Sequence, residues 1–170
     1  MSNKAGDEDK AELSSPACLM DEADPAYFGY LGRAEQVDLL NLLLECERAR
    51  ARGVAALVGR TADPDVRDAL REIAADEARF CAMLSGHIKG LLGTPSEETG
   101  GFYRKLVALD ALDAQLDLLD RGQSWVADKL REALPKISQA GLHRDLSEML
   151  VAHDRNIDRA RRLAPVRPGS

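Results

Sequence analysis

Four polar residues interrupt the apolar sides of four helical segments in this sequence. They are Glu47, Glu77, Gln123 and His153, and each continues a run of apolar residues spaced three and four apart. Each lies within about four residues of the middle of its segment, so we expect the four side chains at similar depth in a helical bundle. Carboxylate, amide and imidazole groups in one buried layer are the groups from which bundles build metal or cofactor sites.

Each of these residues also has an ordinary structural explanation. Glu47 can pair with Arg50 one turn later, and a single core histidine is usually a hydrogen-bonded part of the structure. Glu77 has no basic residue three or four positions away, so its partner must come from another helix, and Arg50 is one candidate. Such pairing would make a buried ion-pair network without a metal. Cys81, one turn beyond Glu77, is a further candidate ligand, although a buried cysteine is more often an apolar filler.

The composition predicts an all-α protein of one domain. Aromatic residues make up 4% of the 170 residues and charged residues 31%, and Ala, Leu, Glu, Asp and Arg dominate. Residues 1–35 hold eight acidic and three basic side chains, which account for -5 of the formal net charge of -6. No basic face that would bind a phosphate backbone is evident, so we do not expect a nucleic-acid partner.

The cysteines and the hydropathy bear on the cellular compartment. The chain has three cysteines, and Cys46 and Cys81 fall inside predicted helices, which favours a reducing cytoplasm over a disulfide framework. Residues 1–15 lack the apolar core of a signal peptide, and no apolar run approaches the roughly 20 residues that span a bilayer. We therefore expect a cytoplasmic protein that is not exported and does not cross a membrane.

The spacing of apolar residues predicts four long helices. They run from about Ala34 to Val58, Pro64 to Leu91, Lys105 to Leu134 and Gln139 to Leu163. The first and third connections are short, as between antiparallel neighbours. The second connection, of about 13 residues at about 3.3 Å each, is long enough to return along a helix. It predicts a crossover that makes the second and third helices parallel, and a simple up-down bundle with a loose loop is the alternative.

The first 33 residues differ in character from the rest. Residues 1–15 are charged and small, which is typical of a flexible tail. The following segment ends in the aromatic cluster Tyr27, Phe28 and Tyr30, and we interpret it as an extended arm that buries these rings on the bundle or on a second subunit. A short hydrophobic staple into the first helix is the alternative interpretation. The predicted organisation is residues 1–33 as tail and arm, 34–164 as bundle, and 165–170 as a C-terminal tail.

The first helix also predicts self-association. Leu39, Leu42 and Leu43 fall outside its inner apolar stripe, so its apolar surface is too wide for one core contact. A homodimer with twofold symmetry is the default arrangement for such a surface.

Five stretches of the sequence carry a resemblance to a known superfamily. They are LLECERARA, DEARFCAML, TGGFYRK, RGQSWVADKLREALP and EMLVAHDRNI. In these stretches the chain resembles the ferritin-like superfamily, and more closely an uncharacterised bacterial family of ferritin-like domains without an established function. The resemblance implies a ferritin-like four-helix bundle with a long crossover between its second and third helices.

The resemblance also implies candidate ligands. Conventional members hold two metals with a Glu on each of two helices and a Glu-x-x-His pair on each of the other two. Glu47 matches the single Glu of the first helix, and Glu77 matches the first member of the second-helix pair. The departures are Phe80 in place of the second-helix His, Gln123 in place of the third-helix Glu, and a fourth-helix pair that reads Leu150-x-x-His153 or His153-x-x-Asn156. Two carboxylates and one imidazole cannot supply a conventional di-iron centre.

Three interpretations of the polar layer remain open. One divalent metal such as iron, manganese or zinc could bind Glu47, Glu77 and His153, with water or Gln123 at open positions. Alternatively, a metal-free pocket could bind a small ligand, with Glu77 as base and His153, Gln123 and Asn156 as hydrogen-bonding partners. In the third interpretation the layer only fixes helix register, in a non-enzymatic interaction protein that acts through its dimer surface and arm. The leading hypothesis is a metal or small-ligand site linked to redox or stress handling, as the resemblance implies.

Overall fold

The chain folds into helices joined by turns and one long connection. The computed structural model describes residues 28–163, except the side chains of residues 160 and 163, and no strand occurs in that range. The helices are α1 (Arg33–Val58), α2 (Pro64–Gly90), α3 (Phe102–Val107), α4 (Leu112–Ala133) and α5 (Ala140–Leu163), with a 3-10 turn at Leu134–Lys136. The all-α prediction is confirmed. Residues 1–27 of the predicted tail and arm lie outside the described residues, and so do residue 164 and the predicted C-terminal tail at 165–170.

Side chains near the helix starts fix where α1 and α2 begin. The Glu35 carboxylate accepts a hydrogen bond from the Gly32 N–H at 2.9 Å, one residue before α1. At the start of α2, the Asp63 side chain accepts from the N–H groups of Asp65 at 2.9 Å and Val66 at 3.3 Å. Pro64 occupies the first turn, where its missing N–H leaves no bond unmade.

Four of the helices form two antiparallel pairs, α1 with α2 and α4 with α5. The pairs meet side by side, so α1 also contacts α4, and α2 also contacts α5. The Leu31 N–H, just before α1, donates to the carbonyl of Lys136 after α4, whereas Arg50 near the end of α1 donates to Gly122 in the middle of α4. Residue numbers thus rise along α1 as they fall along α4, so these two helices are antiparallel.

Ion pairs give the direction of α5 relative to α2. Glu72 accepts hydrogen bonds from Arg159, and Asp145 lies 2.7 Å from His87. These two pairs make α2 and α5 antiparallel. Since α1 opposes both α2 and α4, helices α2 and α4 run in the same direction, and the segment between them must traverse the length of the bundle.

That segment is attached to α1 by hydrogen bonds. The Asn41 side chain donates to the Thr94 carbonyl at 3.2 Å and accepts from the Ser96 N–H at 2.7 Å. The Ser96 hydroxyl donates to Glu45 at 2.6 Å, and Arg48 donates to the Ser96 carbonyl. Three successive turns of α1 therefore hold the connection before it enters α3.

The prediction of one long third helix from Lys105 is wrong. The chain forms the short α3, breaks at residues 108–111, and begins α4 only at Leu112. The Gln115 side chain donates to the carbonyls of Leu106 at 3.3 Å and Leu109 at 2.6 Å, which replaces backbone bonds that a continuous helix would make. A Cβ at Gly53 would lie 2.6 Å from the Leu106 side chain, so glycine allows α3 to lie directly against α1.

Two surface predictions need correction. Phe28 is 48% exposed and Tyr30 39% exposed, so the alternative in which these two rings are buried on the bundle of their own chain is wrong, and burial on a second subunit stays a prediction. Tyr27 lies outside the described residues. Leu43 is fully buried, because α1 packs against α2, α3 and α4 and so buries more of its circumference than one stripe. Leu42 is exposed, as predicted.

Candidate functional site: a buried polar layer

The polar layer lies between two separate apolar clusters of the core. Leu44, Phe80 and Val126 belong to the cluster on one side of the layer. On the other side are Val54, Ile73 and Leu119, with the remaining members of the second cluster. On α1, α2 and α4, the chain passes from one cluster to the other through a polar residue. The layer is therefore a continuous polar section across the bundle.

The predicted residues Glu47, Glu77, Gln123 and His153 all lie in this layer, and each has at most 1% of its surface exposed. Hydrogen bonds connect Gln123 to Glu77 and His153 to Gln123, and His153 faces Glu47. The prediction that the four side chains face one another in the core is confirmed. Their predicted role as metal or cofactor ligands stays a prediction.

Arg50 is the centre of the layer. Its Nε donates to both oxygens of Glu77, at 3.1 and 3.2 Å, and its Nη2 donates both to Glu77 Oε2 at 3.1 Å and to Glu47. A further N–H donates to the Gly122 carbonyl of α4 at 3.2 Å. This arginine is 1% exposed, and burial lowers its pKa, but the carboxylates of Glu47 and Glu77 more than compensate and raise it. It therefore remains a cation within the core.

A second chain of hydrogen bonds fixes the tautomer of His153. Gln123 donates from its amide nitrogen to Glu77 Oε1 at 2.7 Å, which directs the amide oxygen of Gln123 towards His153 Nδ1. An amide oxygen only accepts, so Nδ1 must carry the proton. In a neutral imidazole the other nitrogen, Nε2, then has a free lone pair. Burial, followed by the charge of Arg50, lowers the pKa of His153 to about 3, so the ring is neutral at physiological pH.

Two acceptor atoms of the layer, one on His153 and one on Glu47, have no hydrogen-bond donor. His153 Nε2 lies 3.5 Å from Glu47 Oε1, and neither Nε2 nor Glu47 Oε2 has a hydrogen-bond partner. Both residues are completely buried. A buried acceptor without a donor is costly by about 1–3 kcal/mol, so the space beside these atoms favours a proton donor or a cation.

The layer also contains more negative than positive groups. Two carboxylates, Glu47 and Glu77, accompany one guanidinium, and a net buried charge is unfavourable. Burial raises the pKa of Glu77 well above its usual range against the opposing effect of Arg50, and the nearby Glu47 raises it further. The raised pKa favours the protonated form of Glu77, which reduces the excess negative charge of the layer.

Not every predicted residue belongs to the layer. Asn156 is buried, but its amide donates to Asp76 at 3.2 Å, beside the ion pair that Asp76 makes with Arg155. It thus joins α5 to α2 and makes no recorded hydrogen bond to Glu47, Glu77, Gln123 or His153. Cys81 is partly buried, and burial raises its pKa to about 11, so its sulfur is a neutral thiol rather than a thiolate ligand.

The geometry restricts which metal site fits. Among the described residues, no group of three or more His, Cys, Asp or Glu side chains is arranged to hold a metal ion. Both oxygens of Glu77 accept hydrogen bonds from Arg50, so Glu77 is not a free ligand. A conventional pair of metals bridged by Glu47 and Glu77 does not fit, because the guanidinium already lies between them. The ligand atoms of the layer that no hydrogen bond occupies are His153 Nε2 and Glu47 Oε2.

The fold and the layer define an all-helical protein with a buried arginine–carboxylate network. The residues at 34–162 match the model of a family described as a domain of unknown function (DUF6306), and the chain belongs to that family. No curated protein and no solved structure matches the chain significantly. Across the described residues, no helix combines the length and apolar character needed to cross a membrane.

Three candidate site residues are not singled out by the sequence pattern. Arg50 was considered only as a partner for single carboxylates, although its position one turn after Glu47 on the inner side of α1 signals a central place. Phe102 and Trp125 were not considered as site residues, but they line a cavity that reaches Arg50. The two glycines before Phe102 were the available signal, because glycine in a packed connection often marks a close approach or an open space.

Proposed function

We propose that this protein is a ferritin-like four-helix bundle with a degenerate, non-conventional cation site in its core. The observation that carries the proposal is the pair of unpartnered, buried acceptors, His153 Nε2 and Glu47 Oε2. One divalent metal such as iron, manganese or zinc would bind these two atoms, with water in its other positions. The antiparallel contacts of α1 with α4 and of α2 with α5, together with the long connection, support the ferritin-like assignment.

The hydrogen bond from His153 to Gln123 supports the metal assignment further. Metal-binding histidines usually donate their second N–H to a carbonyl or carboxylate, which orients the ring and fixes the tautomer. Gln123 provides that acceptor and is itself held by Glu77. The ion would compete with protons for its ligand atoms, so its affinity rises with pH. A redox-active ion in this position would fit the role in redox or stress handling that the ferritin-like resemblance suggests.

Metal content provides the test of this proposal. Protein purified without an affinity tag is analysed for metals, and metal-depleted protein is titrated with Fe²⁺, Mn²⁺ and Zn²⁺ in turn. We expect one equivalent of metal per chain in the wild type and none in His153→Ala, with unchanged helix content by circular dichroism. His143→Ala, at an exposed position of the same helix, is the matched control and should bind like the wild type. Stoichiometric binding that persists in His153→Ala, or no uptake by the wild type, would overturn the proposal.

A specific surface favours an alternative function as a non-enzymatic, self-associating interaction protein. Leu42 on α1 and Trp125 on α4 are both 42% exposed, and they lie on the face where α1 meets α4. Leu39 lines a groove with Leu42 on the same face. A homodimer through this face would cover these side chains. The unpaired thiols of Cys46 and Cys81 are compatible with a cytoplasmic setting.

Sedimentation equilibrium tests the alternative. At tens of micromolar protein, an interface of about micromolar affinity is filled, so a dimer is expected for the wild type. Leu42→Glu should give a monomer, whereas Val151→Glu, on the exposed side of α5, should leave the dimer intact. A wild type that sediments only as a monomer excludes the dimer surface at this affinity.

A further inference from the structure

A cavity of about 270 Å³ opens between α1, α4 and the start of α3. Its lining residues are Cys46, Ala49, Arg50, Gly100, Gly101, Phe102, Gly122 and Trp125. An apolar cavity of about 150 Å³ is large enough to hold benzene, so this one has room for a six-membered ring with a few further atoms. It is separate from the pair of acceptors at His153 and Glu47, which are completely buried and do not line it.

Glycine residues shape this cavity in two different ways. A Cβ at Gly122 would lie 2.9 Å from the Phe102 ring, so glycine lets this ring lie against the backbone of α4. At Gly100 and Gly101 a Cβ would meet no atom within 4 Å, so these residues leave one wall open. The ring is therefore fixed while the space in front of it stays empty.

The walls are apolar and uncharged apart from Arg50. The Phe102 and Trp125 rings provide two aromatic surfaces, and Trp125 is 42% exposed at the edge. Burial raises the pKa of Cys46, so its sulfur contributes a neutral thiol. Rings of this kind bind flat apolar molecules by stacking and by burial of apolar surface.

Arg50 supplies one polar feature for a ligand. A guanidinium has five N–H groups, and the hydrogen bonds to Glu47, Glu77 and Gly122 account for four of them. One hydrogen of the nitrogen that bonds Gly122 is left over, on a side chain that is 1% exposed. It favours a ligand with an oxygen acceptor. The ligand should carry no net charge, because the carboxylates already neutralise the guanidinium and an added anion would be buried unpaired.

We infer that this cavity is a binding site for a small, uncharged, ring-containing molecule with an acceptor oxygen, stacked between Phe102 and Trp125 and hydrogen-bonded to Arg50. The inference does not depend on a metal in the core. It explains why a tryptophan and an open pair of glycines border a fully buried arginine. Binding of such a ligand requires no movement of the Phe102 and Trp125 rings.

Trp125 is the only tryptophan of the chain, so its fluorescence reports directly on this cavity. Benzyl alcohol is the probe, because it is a neutral ring with one oxygen and does not absorb where tryptophan is selectively excited. The titration is performed on the full chain in the presence of a chelator, so a failure of the cation proposal does not affect it. We expect a saturable change in Trp125 emission, and benzoate, the charged analogue, should bind at least about tenfold more weakly.

Two matched variants locate the binding. Gly101→Leu places a side chain at the open wall of the cavity, where a Cβ meets no atom within 4 Å. It should weaken the binding of benzyl alcohol by at least about tenfold. Gly86→Leu is the control, because Gly86 lies at an exposed position of α2 and a Cβ there also meets no atom within 4 Å. This variant should bind benzyl alcohol like the wild type. Toluene, which lacks the oxygen, tests the hydrogen bond to Arg50. The binding free energy of each molecule is compared with its free energy of transfer from water to cyclohexane. Relative to this reference, benzyl alcohol should bind more tightly than toluene.

Several outcomes would overturn the inference. A linear, unsaturable change in emission would mean that no site exists. Equal affinity in Gly101→Leu and in the wild type would place the probe elsewhere. Binding of benzoate as tight as that of benzyl alcohol would refute the uncharged ligand class. If benzyl alcohol, relative to its free energy of transfer from water to cyclohexane, binds no more tightly than toluene does, the hydrogen bond to Arg50 would be refuted. A response that occurs only when a dimer dissociates would assign Trp125 to a protein interface instead.

Discussion

Two residues of the buried layer should make folding stability depend on pH in opposite directions. The pKa of His153 falls from its ordinary 6.5 to about 3 in the folded protein. Below pH 6.5 the unfolded chain therefore binds a proton that the folded chain does not, and the free energy of unfolding decreases as the pH falls towards 3. Glu77 behaves in the opposite way, because its folded pKa is raised well above the ordinary 4.5. Above pH 4.5 the unfolded chain releases a proton that the folded chain keeps, so stability decreases as the pH rises.

The structure gives the size of the His153 effect. The ordinary pKa of histidine lies about 1.5 units above pH 5, and each unit corresponds to about 1.36 kcal/mol. Between pH 7 and pH 5, His153 should therefore lower the free energy of unfolding of the wild type by about 2 kcal/mol. In the wild type Glu77 opposes this loss, because its raised pKa makes the stability decrease as the pH rises. His153→Gln should become less stable as the pH rises from 5 to 7, and Glu77→Gln should become more stable.

Urea unfolding at pH 5, 6 and 7 and constant ionic strength measures these slopes. His143→Gln, an exposed replacement on the same helix, should follow the wild type at every pH. A difference between the wild type and His153→Gln that stays constant from pH 5 to pH 7 would show that His153 titrates alike in the folded and unfolded chains. The assignment of a neutral, buried imidazole would then be wrong.

Further variants test the packing around the layer. Arg50→Met leaves two carboxylates in the core without their cation and should lower the free energy of unfolding by about 3–5 kcal/mol. Urea unfolding measures this change. The control Arg144→Met, at an exposed site, should change the free energy of unfolding by less than about 0.5 kcal/mol. Gly122→Ala brings a Cβ against the Phe102 ring and should cost about 1–3 kcal/mol, whereas Gly86→Ala, in open space within a helix, should stabilise by about 0.5–1 kcal/mol. Equal effects of the two glycine variants on thermal unfolding would contradict the close approach of Phe102.

The layer could be predicted from the sequence because helical periodicity places a residue on a face without knowledge of its partners. Spacing of three and four residues sufficed for Glu47, Glu77, Gln123 and His153, and equal distances from the helix centres gave their common depth. Which atoms bond depends on rotamers and on the rotation of each helix. The sequence pattern could therefore not rank Arg50 as the common donor of both carboxylates.

Other features depend on contacts between distant segments and left no periodic signal. The break before α4 depends on the Gln115 side chain, which bonds carbonyls that a continuous helix would have used. Leu43 is buried because three helices pack against α1. The spacing of apolar residues within α1 does not show how many neighbours this helix has. Asn156 is predicted as a hydrogen-bonding partner for a small ligand, but its amide donates to Asp76 of the neighbouring helix.

The distribution of the layer over the two helix pairs has a consequence for assembly. Every charged member, Glu47, Arg50 and Glu77, lies on α1 or α2, while α4 and α5 contribute only the neutral Gln123 and His153 and the Gly122 carbonyl. The α1–α2 hairpin can thus complete its ion pairs by itself, at a stage when water still reaches them. The α4–α5 hairpin then covers them with uncharged groups, so the docking step brings no further charge into the layer. Two separately expressed fragments, divided within the connection between α2 and α3, would meet across an interface whose charge pairs lie outside the layer, between α2 and α5. The salt dependence of their association should therefore come from these outer pairs and not from the buried layer.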